Sequence, residues 1–68
     1  MSLFTEMIPV NSRAIRAVGY DGSTLSIQFH SSTQIYDFPG VPYSVFEEFM
    51  HAPSKGEYYS DHIRGRYG

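Results

Sequence analysis

The sequence predicts an α+β fold: a three-stranded antiparallel β-meander followed by two short α-helices and an ordered C-terminal tail. Three observations carry that expectation. Leu25, Ile27 and Phe29 alternate with Ser26, Gln28 and His30, the period of a strand with one face in the core and one in water. Asp21-Gly22 and Ser31-Ser32-Thr33 bracket that stretch with turn chemistry. Beyond Pro39-Gly40 the spacing becomes helical, with Val45, Phe46, Phe49 and Met50 on one stripe and Glu47 and Glu48 outside it.

Taken in order, the first strand runs from Ile15 to Tyr20, interrupted at Gly19, where another group approaches closely. Asp21-Gly22 supplies the positive φ angles of a tight hairpin into the alternating strand from Leu25. The third strand spans Gln34 to Phe38, with Tyr36 and Phe38 on one face and Ile35 and Asp37 on the other. Pro39-Gly40 ends it, because proline has no amide to donate. Pro42 suits the first helical position, so the first helix spans Pro42 to about Met50, and Ala52-Pro53 breaks it. Ser54 and Glu57 have the spacing of a reciprocal capping box. The second helix then runs from Lys55 to about Ile63, with Tyr59 and Ile63 inward, until Gly65 stops it.

A chain of 68 residues is one domain with a marginal core, since domains near this size bury only about 60% of their unfolded surface. Six tyrosines and five phenylalanines offset this, each buried ring removing roughly 150–250 Å² from water. Residues 12–68 read as the domain. Residues 1–11 read as an extension whose Leu3, Phe4, Met7, Ile8 and Val10 form an arm or an extra strand. The net charge of −2 is unevenly spread. Residues 1–50 set two arginines against five carboxylates, net −3, whereas residues 51–68 set three cations against two carboxylates, net +1. The C-terminal third is the positive end of an acidic protein.

Several chemistries are excluded. With no cysteine there are neither disulfides nor thiolate metal sites, which suits a cytoplasmic location. No apolar run approaches about 18 residues, and the opening residues lack a basic stretch, so neither a membrane span nor a signal peptide is expected. His30, His51 and His62 have no metal-ligand spacing, so no metal site is expected. Ser54, Asp61 and His62 supply the residue types of a nucleophilic triad, but no nucleophile elbow or phosphate-cradling loop accompanies them. The expectation is a protein that is not an enzyme and needs no cofactor.

These residues resemble the KTSC domain family, short domains named from the C-terminus of some lysyl-tRNA synthetases. The resemblance runs through Ile15 to Asp21, the alternating strand, Ile35-Tyr36-Asp37-Phe38 and Gly40-Val41-Pro42. It continues through Ala52-Pro53-Ser54-Lys55-Gly56-Glu57-Tyr58-Tyr59 and ends in Ile63-Arg64-Gly65-Arg66-Tyr67. The tyrosine-x-tyrosine of the family stands here as Tyr36-Asp37-Phe38, one phenol hydroxyl short. The family also occurs as stand-alone small proteins, and its attachment to a synthetase implies RNA as a partner.

Two groups of residues are candidates for binding. Ser54, Lys55, Gly56, His62, Arg64, Arg66 and Tyr67 read as an anion or RNA site, with helix-terminal amides, a close-approach glycine and bidentate guanidiniums. The alternatives are a plain helix cap followed by a solvated basic tail, or a tail that Tyr67 folds back onto the sheet with the arginines paired to Asp37 or Asp61. Tyr36, Phe38, Tyr43, Tyr58 and Tyr59 read as a base-stacking platform or, in a chain this short of core, as interior. Two functions stay open: a non-catalytic RNA-binding module using the C-terminal basic-aromatic segment, or a protein-interaction module or small homodimer without a nucleic-acid role.

Overall fold

The computed structural model describes residues 6–67. Four strands, β1 (Ile8–Pro9), β2 (Ile15–Tyr20), β3 (Leu25–Phe29) and β4 (Ile35–Phe38), form one antiparallel sheet in the order β1-β2-β3-β4. Helix α1 (Tyr43–His51) follows, then α2 (Lys55–Tyr58), which runs straight into a π-helical turn over Tyr59–Ile63. Ile15, Val18, Leu25 and Ile27 of the sheet meet Val41, Phe49 and Ile63 in one core, and Tyr58, Tyr59 and Tyr67 pack around it. The fold is α+β, as the change of period predicted. Among the described residues no helix is long and apolar enough to cross a membrane.

The sheet has four strands rather than three. Ile8 pairs with Val18 and Pro9 with Ala17, and the Val10 amide donates to the Arg16 carbonyl at 3.1 Å. A two-residue strand holding a proline shows no alternation, yet an edge position tolerates it. Leu3 and Phe4 of the expected arm lie outside the described residues.

Gly19 does not interrupt β2, since it pairs in register with Ser26. The irregularity falls instead between Ile15 and Ala17, where Arg16 is the extra residue of a bulge. The bulge lets Ile15 and Val18 both turn inward and leaves Arg16 exposed. The tight turn forms as expected, with Gly22 at φ 104° and Asp21 Oδ1 accepting from the Ser23 and Thr24 amides at 3.0 and 2.7 Å. Those two amides hold the Asp21 carboxyl below its usual pKa. Ser26, expected in water, is only 3% exposed and donates to Asp37 Oδ1 at 2.7 Å. Pro42 is extended and precedes α1 as its cap residue, one position earlier than the first helical turn.

Candidate nucleic-acid interface

The C-terminal segment is locked by its backbone. In the π-helical turn the Arg64 amide donates to the Tyr59 carbonyl at 2.8 Å, a five-residue closure wider than an α-helical one. Gly65 then takes φ +81°, a left-handed conformation that suits glycine and ends the helix. The reversal lets the Arg66 and Tyr67 amides donate to the Ile63 carbonyl at 3.0 and 3.2 Å, and the Tyr67 ring packs on the core. The tail is therefore held by amides and one ring. Arg64 and Arg66 are both exposed, and Asp37, a predicted pinning partner, accepts from Ser26.

Arg64 stands at the wall of a surface cleft of about 290 Å³ whose other walls are Phe29, Ser31, Ser32, Tyr36 and Tyr59. The rings there meet edge to face: Phe29 with Tyr36 at 5.9 Å and 62°, and Phe29 with Tyr59 at 5.1 Å and 69°. Phe38 backs the group, meeting Tyr59 at 5.7 Å and 69°. Edge-to-face packing is a favoured aromatic geometry, and it fixes the ring planes. Tyr36 remains 40% exposed, so part of its ring is free beside a guanidinium and two hydroxyls. Phe38 is half-buried, and there the missing phenol hydroxyl leaves an apolar support for Tyr59.

The remaining candidates do not join this cleft. Ser54 Oγ accepts from the Glu57 amide at 3.4 Å, which is one half of the predicted box. Lys55 lines a second cleft, with Ser12 and Arg13 across from it. Lys55 and Arg64 lie nine positions apart, about 13 Å along a helix, and line different clefts. The single anion cluster expected from the sequence is thus two separate places. Gly56 also serves packing rather than a ligand: a Cβ there would sit 3.3 Å from Ala14 Cβ. Its lack of a side chain lets α2 lie close to the start of β2.

His62 lies against the Tyr58 ring at 4.5 Å and 40°. The Tyr58 hydroxyl donates to Glu48 Oε1 at 2.9 Å, tying α2 to α1. Partial burial, then that carboxylate, push the Tyr58 pKa up to about 12. Tyr58 also packs against Phe49, so it belongs to the interior seam. Tyr43 is 61% exposed at the opposite end of the sheet, tilted against Tyr20 and Phe46. Of the predicted platform, only Tyr36 and Tyr59 face the cleft, with Phe38 behind.

Sequence reasoning missed three residues. Arg16 and His30 line a cleft with Gln28 and Ser31–Thr33, and Arg13 lines the same cleft as Lys55. In the sequence Arg13 and Arg16 belong to the acidic N-terminal two-thirds. Antiparallel pairing of Ile15 with Phe29 carries them to the Arg64 end. The histidines are placed apart: His30 Nε2 faces the Ser12 carbonyl at 3.0 Å, and His51 Nδ1 faces the Glu47 carbonyl at 2.9 Å. Ser54 and His62 are eight residues apart on one helical segment, about 12 Å, too far for proton transfer between them.

Comparison with known proteins agrees with this architecture. The family described as KTSC domain matches residues 11–67. Lysine–tRNA ligase of Nostoc sp. is 40% identical over 55 residues, covering 78% of this chain and 10% of that protein. Lysine–tRNA ligase of Trichormus variabilis is 41% identical over 44 residues, covering 65% of this chain and 8% of that protein. The chain thus spans about a tenth of the length of these curated relatives. The crystal structure of a KTSC domain protein from Yersinia pestis superposes with a TM-score of 0.87 at 35% identity, covering 94% of this chain and 92% of that one.

Proposed function

The chain belongs to the KTSC domain family, and on that premise we propose that it is a non-catalytic module that binds RNA through the Arg64 cleft. The observation that carries the reading is Arg64 standing exposed over a cleft whose aromatic rings are fixed edge to face. An unpaired base stacks on the free part of Tyr36, and the guanidinium takes the adjoining phosphate, a pairing single-strand binders use without reading sequence. Two relatives are named as lysine–tRNA ligases, in which a segment of this kind is about a tenth of the chain. A segment of that size suits a tRNA-contacting accessory better than a catalytic core. The separation of Ser54 from His62 supports the non-catalytic part of the reading.

Fluorescence anisotropy with a labelled single-stranded RNA tests it. Tyr36→Ala and Arg64→Ala are each expected to weaken binding by about tenfold, within the range of one lost stacking or charge-assisted contact. Wild-type affinity in both variants removes the cleft as the site.

A second reading is protein association along β4, favoured by Ile35 at 46% exposure on an unpaired sheet edge. Exposed edges accept a further strand. Sedimentation equilibrium decides it: a concentration-dependent dimer abolished by Ile35→Lys supports pairing there, and a monomer at every concentration removes it.

A further inference from the structure

The Arg64 cleft has two neighbours. It shares Ser31 and Ser32 with the cleft holding Arg16 and His30. That second cleft meets the third, which holds Arg13 and Lys55, where His30 Nε2 faces the Ser12 carbonyl at 3.0 Å and the His30 amide donates to the Ala14 carbonyl at 3.0 Å. The three clefts follow one another around the same end of the sheet: the helical segment lines the first through Tyr59 and Arg64 and the third through Lys55 and Gly56, while the middle one is lined by strand and turn residues alone. Four of the five Lys and Arg residues of the protein line them, and no described residue lining them is an Asp or Glu. A protein of net charge −2 thus gathers its cations on one rim.

We propose that this rim is a track for the backbone of single-stranded nucleic acid, entered at the Arg64 cleft and continued past Arg16 and His30 to Arg13 and Lys55. The proposal rests on the RNA-binding reading of the Arg64 cleft and adds a path and a minimum length to it. The aromatic cleft needs an unpaired base, which fixes the ligand as single-stranded there. The rest of the track offers cations, hydroxyls and one imidazole, that of His30, whose Nε2 is taken up by the Ser12 carbonyl, so it contacts phosphates and sugars and is indifferent to sequence. The spread of cations over three clefts calls for several linked phosphates, in keeping with the roughly 4–16 nucleotides that small single-strand-binding folds occupy.

The test compares a single-stranded RNA trinucleotide with a dodecanucleotide, each titrated against the wild type, the triple variant Arg13→Ala/Arg16→Ala/Lys55→Ala, and Arg64→Ala. For the dodecanucleotide the triple variant is expected to lose at least tenfold in affinity. The slope of log affinity against log salt becomes shallower by about 2, given about 0.7 per phosphate contact. Trinucleotide affinity changes less than twofold. Arg13→Lys/Arg16→Lys keeps the dodecanucleotide slope, which separates loss of charge from loss of fold. A triple variant that binds the dodecanucleotide like the wild type, while Arg64→Ala does not, overturns the track and leaves the Arg64 cleft standing. A wild type that binds neither oligonucleotide overturns both.

Discussion

Arg64 leaves the helix one position after the fully buried Ile63 and one before a left-handed glycine, so its side chain has no route inward. That placement, more than its charge, is what the proposed binding role rests on. Tyr58, six positions earlier, is its counterpart on the structural side. Its raised pKa has a defined consequence for stability. Because the folded value of about 12 lies above the unfolded value near 10, the contribution is fully present below pH about 10 and is lost between about 10 and 12. Spectrophotometric titration should show a tyrosine ionising step near 12 that moves downward in Glu48→Gln and is absent in Tyr58→Phe. A step near 12 left unchanged by Glu48→Gln, or still present in Tyr58→Phe, would remove the Glu48–Tyr58 tie. The candidate arginines were legible as residue types, since guanidiniums beside aromatics are visible in any sequence. Which of them share a surface was not, because strand register places Arg16 and the final helical turn places Arg64.

The decisive element is the π-helical turn over Tyr59–Ile63. It keeps Tyr59 on the core while Ile63 is fully buried, and it delivers Arg64 beside the Tyr59 ring. Gly65 completes it, and nothing lies within 4 Å of the position of an added Cβ there. Gly65→Ala should therefore cost about 1–2 kcal/mol through the left-handed backbone alone, measured by urea denaturation, with RNA affinity falling as the Arg64 exit angle changes. A stability equal to the wild type would mean that the turn relaxes without the glycine. At this scale the sequence was informative wherever a pattern repeats. The alternation of β3, the Asp21-Gly22 turn, the α1 stripe and the Gly65 stop were all readable. β1 was not, because two residues hold no period, and the bulge at Arg16 was not, because it is set by the partner strand. The wider final turn escaped for a similar reason, since Tyr59 and Ile63 face inward in either kind of helix.

As a whole, the molecule is a sheet with one dressed face and a segregated charge. Its core is small, so each large side chain carries a large share of the stability. Phe49, with no exposed surface, joins α1 to Tyr58. Phe49→Ala should cost about 3–5 kcal/mol, a large part of the roughly 5–15 kcal/mol available to a domain, and thermal unfolding followed by circular dichroism would show it. The acidic total conceals a cationic rim, since four of the five Lys and Arg residues line the three clefts. The most direct measurement is the salt dependence of wild-type binding to single-stranded RNA. Four cations engaging phosphates should give a slope near −3 in log affinity against log salt, at about 0.7 per contact. A slope near zero, or no binding at low salt, would contradict RNA binding at this surface.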